Sequence, residues 1–245
     1  MNCDSLSAQN LSAECFVYTP GLWEQDLYTL PLEGLIVTAV SNRTPPEKPR
    51  WPFNNEVANG VRNPTRQPGL FATSLGAAVG IPLFIDALNS NHNFPLNTYL
   101  RGLVHAHLWN EFFTSSAKGW FGRKRPFYDT VERRGEARQD DRYSFFSGHA
   151  SHAFTFATYA THLAFAELRE PRSAWVYATL LNATATWVAS SRAIDKQHNW
   201  SDVLVGSLVG VGVGYATFDR VQTVSKFPVS VALGARSITI SVPTP

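Results

Sequence analysis

The chain has little cysteine, little charge and almost no imbalance between its charges. Only two cysteines occur in 245 residues, Cys3 and Cys15, whereas a structural zinc site asks for four ligands. They leave either a local disulfide or two free thiols, and a metal-thiolate enzyme is not expected. Lys and Arg number 21 against 19 Asp and Glu, a formal charge of +2. That is too nearly balanced for broad adhesion to nucleic acid or anionic lipid, so no nucleic-acid partner is expected and any anion must be held locally. No Lys or Arg precedes Pro20, so the basic leader of a secretory signal peptide is missing from this stretch. Long hydrophobic runs are scarce as well. Gly69 to Ile85, Ser173 to Ser191 and Val203 to Phe218 are uncharged, but a bilayer-crossing helix wants roughly 20 predominantly apolar residues. These runs are short, or diluted by Gly, Ser, Thr and Asn, so a soluble or peripheral protein is favoured over an integral one.

What is present is a chain with 44% hydrophobic residues, enough to bury a sizeable core. Residues 1–68 are punctuated by Pro, Gly and Asn, as in TPPEKPRWPFNN and RNPTRQPG, which predicts an extended arm pinned by Trp23, Trp51 and Phe53. From residue 69 the pattern turns helical, with helices expected near 69–88, 97–117, 148–168, 172–191 and 199–218. The fold class is therefore all-α, a helical bundle over 69–224. The mixed-charge stretch 127–143 reads as a solvated loop. In the tail, 225–245, KFPVSVAL and SITISV alternate as the strands of a short β-hairpin would.

Three clusters carry chemistry. In KGWFGRKRP, Lys118 and Arg125 are seven residues apart, two turns along one helix face, with Pro126 ending the helix. Arg123 and Lys124, off that face, read as surface charges. In YSFFSGHASHAF, Ser147 and Gly148 precede an apolar helix whose free N–H groups suit an anion, although Ser147 as a plain N-cap explains as much. His149 falls in the first turn, where the helix dipole disfavours its protonated form unless an anion compensates. His152, three residues on and on a neighbouring face, reads as a core histidine in preference to a spare partner. In SRAIDKQHNWSDVLVG, His198 and Asp202 are four apart. On a helix the carboxylate would lie beside the imidazole, fixing its tautomer and freeing the other nitrogen for attack. Arg192 adds a planar fork suited to phosphate. Together these groups meet the needs of in-line displacement at phosphorus. A serine-hydrolase elbow of GxSxG type and the HExxH of zinc hydrolases are both lacking.

K-x6-R-P (Lys118, Arg125, Pro126), S-G-H (Ser147, Gly148, His149) and S-R-x5-H-x3-D (Ser191, Arg192, His198, Asp202) resemble, in order, the three-part signature of the type 2 phosphatidic acid phosphatase (PAP2) superfamily. That superfamily includes lipid phosphate phosphatases, class A acid phosphatases and vanadium-dependent haloperoxidases. The resemblance covers roughly residues 69–218. It implies His198 as the nucleophile of a phosphohistidine, Asp202 as its orienter and His149 as general acid. Lys118, Arg125, Ser147, Gly148 and Arg192 are implied to hold the phosphoryl oxygens, without a metal or other cofactor. Vanadate is expected to inhibit, and to serve as cofactor only in a haloperoxidase. The wording FFSGH and HNWSDVLVG looks closest to the lipid phosphate phosphatases, although Phe146 stands where many relatives have Pro. The expected substrate is thus a phosphorylated lipid, phosphatidate or an isoprenyl pyrophosphate, with small soluble phosphate esters as the alternative. The expected place of action is extracytoplasmic, periplasmic or at a membrane surface, any signal peptide being absent from this chain.

Overall fold

The computed structural model describes residues 23–58, 60–61, 68–90, 96–226, 230–234 and 237–241. Cys3, Cys15 and the first part of the expected arm lie outside the described residues, as does the side chain of Trp23. The expected all-α class is what the chain adopts. Among the described residues the helices are α1 (Trp23–Ser41), α2 (Pro68–Ser90), α3 (Leu96–Phe121), the short α4 (Tyr128–Arg133), α5 (Gly148–Glu167), α6 (Pro171–Ile194) and α7 (Trp200–Lys226). A 3-10 turn spans Gln139–Arg142. Strands β1 (Ser230–Gly234) and β2 (Ser237–Ser241) pair antiparallel as the expected hairpin.

One expectation needs correction: Trp23–Ser41, inside the stretch read as extended, is helical. Its Pro31 and Gly34 are isolated within an apolar sequence, and the dense punctuation begins only at Thr44-Pro45-Pro46. Beyond it the chain does run as an irregular strap. Phe53 fastens that strap, its ring 5.7 Å from Phe121 and 4.8 Å from Phe145, while Trp51 is 80% exposed.

Helix α5 is the axis of the bundle and packs against α2, α3, α6 and α7. Its contact with α7 is close because small residues face each other. A Cβ added at Gly206, Gly210 or Gly214 would sit 2.6, 2.2 or 2.6 Å from the carbonyl oxygens of Ser147, Ser151 and Thr155 respectively. This one-turn repeat on both helices brings backbone against backbone. Around it, Leu83, Tyr99, Ala106, Leu163, Leu181 and Phe218 form the apolar core, where each fully buried large side chain contributes about 1.5–3 kcal/mol. Tyr159 donates to the Tyr99 carbonyl at 2.8 Å and so satisfies its buried hydroxyl. One helical stretch among the described residues, Trp200–Gln222, is long and apolar enough to cross a membrane.

The bundle order matters for chemistry because the C-terminal ends of α3 and α6 and the N-terminal ends of α5 and α7 meet at one end. Ser147 N–H donates to the Asp202 carbonyl at 3.0 Å and ties the start of α5 to that of α7.

Candidate active site

Helix α3 stops earlier than the spacing of Lys118 and Arg125 predicts. Gly122, at φ +59°, takes the left-handed conformation that terminates helices, so Arg125 lies beyond the helix and not two turns along it. The two cations still converge. Both line a polar cavity of about 200 Å3 with Ser41, Ser115, Asp140 and Tyr143, and Arg125 donates to Gln197 Oε1 at 2.9 Å. The Lys118 ammonium reaches the start of α5, where a Cβ on Gly148 would stand 3.3 Å from its Nζ. Gly148 thus leaves room for close approach to the helix N-terminus. Ser147 is fully buried and its Oγ caps Ala150 N–H at 3.5 Å, a long cap.

Arg192 sits in the last turn of α6 and is 4% exposed. Among the described residues its buried Nε and Nη1 find no hydrogen-bond partner. Burial, with Arg125 nearby, pulls its pKa below the ordinary arginine value. Lys118 is likewise lowered, mainly by burial, with Glu111 and Asp140 opposing and Arg125 reinforcing. Buried cationic donors without acceptors are costly, and an oxyanion held among them removes that cost.

The turn after α6 sets the next group. Lys196, at φ 57°, adopts the left-handed cap usually given to Gly or Asn. Its N–H returns to Ala193 O at 3.1 Å, and the N–H groups of Gln197 and His198 return to Arg192 O at 3.0 and 3.1 Å. Arg192 and His198 are therefore locked to one another through the backbone. His198 lies before α7, not on it, so the expected helical i,i+4 pairing is replaced by a loop geometry. Its Nδ1 is 2.7 Å from the Ser144 carbonyl and 3.8 Å from Asp202 Oδ2. A carbonyl only accepts, so Nδ1 carries the proton and Nε2 holds the free lone pair. The first partner fixing the tautomer is thus Ser144, which pattern reading missed because a backbone carbonyl leaves no residue-type signal. Asp202 stands behind it: fully buried, it accepts from Ser144 Oγ at 2.6 Å, from Asn199 N–H at 3.0 Å and from Arg123. Burial first, opposed by Asp202 and reinforced by Arg125 and Lys118, pushes the His198 pKa down to about 4.

His149 is also held at about 4, by the surrounding protein and by Arg192, His198, Lys118 and Arg125. Part of its ring is open, and it lines an apolar cavity of about 620 Å3 walled by Gly76, Val79, Ile81, Phe84, Phe156 and Val188 among others.

Two assignments made from pattern do not hold. Arg123 is not a surface charge but 5% exposed, shared between Asp202 and Glu56. Lys124 pairs with half-buried Asp129 at 2.9 Å. His152 is not a core histidine either: half-buried on the same cavity as His149, its Nδ1 is 2.8 Å from His107 Nδ1 and its Nε2 3.0 Å from Glu111 Oε2. A larger hollow, of about 740 Å3, between Asn42–Arg50 and the end of α3 holds none of the signature residues.

Residues 99–226, just over half of the chain, match the family model of the PAP2 superfamily. The chain belongs to the PAP2 superfamily. Membership implies an activity of phosphatase or haloperoxidase type. The PAP2 match contains every candidate site residue and ends with α7, leaving α1, the strap, all of α2, the start of α3 and the hairpin outside it. No solved structure matches the chain.

Proposed function

We propose that this PAP2 protein is a metal-independent phosphatase that releases phosphate from the monoester or pyrophosphate group of a lipid through a phosphohistidine on His198. The observation carrying the phosphate reading is the pair of buried, unmatched Arg192 nitrogens beside Lys118, Arg125 and the Gly148 N-terminus. These are donors of fixed geometry suited to the equatorial oxygens of a phosphoryl group in transfer. The Nε2 of His198 attacks phosphorus while the bond to the leaving oxygen breaks and His149 delivers its proton to that oxygen. Water then attacks the phosphohistidine. His149 takes the water's proton, the P–N bond breaks, and phosphate leaves. Because His149 binds its proton weakly in the free protein, the bound phosphate dianion is what raises its affinity, so the acid is loaded together with the substrate.

The lipid assignment is supported by the wall behind the proton donor: His149 lines the 620 Å3 apolar cavity, a space suited to an apolar leaving group that takes its proton from His149. Association with a membrane is supported by two outward apolar stripes, Val176, Leu180, Trp187 and Ile194 on α6 and Leu204, Leu208, Val211 and Tyr215 on α7. Action outside the cytoplasm belongs to the same reading. The test is phosphate release from phosphatidate, an isoprenyl pyrophosphate and a sugar phosphate at matched concentration, with and without vanadate and with a chelator. Lipid preference, inhibition by vanadate and indifference to chelation are expected. Preference for the sugar phosphate would move the enzyme to the acid-phosphatase branch, and halide oxidation activated by vanadate would make it a haloperoxidase.

A further inference from the structure

Glu56 lies in the strap, outside the matched family region, and yet its carboxylate grips Arg123 with both oxygens. Nε donates to Oε2 at 2.6 Å and Nη2 to Oε1. The remaining nitrogen, Nη1, donates to Ser201 Oγ at 2.8 Å and to Asp202 Oδ1, and the Phe53 ring lies 4.2 Å from the guanidinium carbon. This is unlike an ordinary surface ion pair, whose worth is eroded by side-chain entropy. The strap is fixed on both sides of Glu56: Arg50 N–H donates to Phe121 O at 2.9 Å, Ala58 N–H to Asp129 Oδ2 at 2.9 Å, and Thr130 Oγ1 to Gly60 O at 2.9 Å.

We infer that Glu56 and Arg123 are positioning residues for the proposed reaction, forming with Asp202 a relay whose net single negative charge is set behind His198. Attack on phosphorus develops positive charge on the His198 ring. Asp202 can stabilise it only if Arg123 does not neutralise the carboxylate, and Glu56, by sharing the guanidinium, prevents that. Among the described residues the other charged or titratable groups near His198 are Lys118, Arg125, His149 and Arg192, whose carbonyl accepts from His198 N–H; all are cationic or neutral, so Asp202 and its relay are the negative side of the balance. The inference rests on His198 being the nucleophile.

Two variants of the full chain move the relay in opposite directions. Glu56→Gln removes a negative charge, so His198 binds its proton less tightly and the acid limb of kcat/KM moves to lower pH, by roughly half a unit. Its kcat falls about 10- to 100-fold, the usual cost of losing an outer partner that orients a reacting group. Inhibition by inorganic phosphate, which forms no bond to His198, stays unchanged because Glu56 does not touch the oxyanion, whereas vanadate, bonded to Nε2 as phosphorus is in attack, binds less tightly. Arg123→Gln removes a positive charge and moves the limb upward, and Arg123→Lys does not rescue kcat, since a point charge cannot bridge both carboxylates. Opposite shifts support the relay. Limbs that coincide with wild type, or that shift in the same direction, overturn it, even if both variants melt earlier. Should Arg123→Gln fail to fold, the sign of the Glu56→Gln shift decides alone. NMR titration of the His198 ring reads the same displacement in a protein without turnover, which separates failure of the relay from failure of the phosphatase reading.

Discussion

Lowering the pH from 7 to 4 will remove about 3 kcal/mol of folding stability through His198 alone. In the fold its pKa is about 4, against an ordinary value of 6.5. The sign follows from which state binds the proton first. Between 6.5 and 4 the unfolded chain takes up a proton that the folded protein refuses, so the stability present above 6.5 is lost as pH falls and the loss levels off below 4. A separation of about two and a half units at about 1.4 kcal/mol per unit sets the scale. The side chain is 4% exposed, so solvent screening takes little away. Carboxylates titrate over the same range, and the assay must therefore be a double difference. Urea unfolding of wild type and His198→Asn is measured at pH 7 and at pH 4. Asn keeps a donor near the Ser144 carbonyl and removes the titration, so wild type should lose about 3 kcal/mol more than the variant between the two conditions. Equal losses would refute the neutral, buried imidazole. They would also remove the reason for expecting His198 to attack without a separate base at mildly acidic pH.

His149→Ala should slow alkyl phosphates by about 10²–10⁴-fold and activated aryl phosphates much less, because only a poor leaving group needs the proton; equal losses would make His149 a binding residue. Gly148→Ala should weaken vanadate inhibition at least tenfold with a small change in Tm, since the new methyl stands 3.3 Å from Lys118 Nζ and 3.2 Å from Thr114 Cγ2, where the oxyanion is proposed to lie. An unchanged inhibition constant would place the oxyanion elsewhere. Gly210→Ala should destabilise the bundle by several kcal/mol or abolish folding, because its Cβ would be 2.2 Å from the Ser151 carbonyl oxygen and a helix backbone cannot yield; thermal denaturation reads it, and a wild-type Tm would contradict the close α5–α7 packing.

The residues that meet at one end of the bundle were legible from the chain alone: Lys118, Arg125, the Ser147-Gly148-His149 step, Arg192, His198 and Asp202 stand out by type and spacing, and the helices that carry them stand out by their apolar content. Residue type reports chemistry and local spacing reports helix faces, so both survive without coordinates. Tertiary structure alone decided how those residues are supported. Gly122 ends α3 before Arg125, a backbone conformation that glycine permits but does not impose. The Ser144 carbonyl became the first partner of the His198 Nδ1 because main-chain acceptors have no sequence signature. Arg123 changed from a surface charge to a buried clamp because Glu56, 67 positions earlier, and Asp202, 79 positions later, were brought to it. Contacts between segments that far apart depend on how the strap crosses the bundle, and no local periodicity encodes that path. The same holds for the apolar cavity beside His149, a space between helices whose separate sequences read only as core.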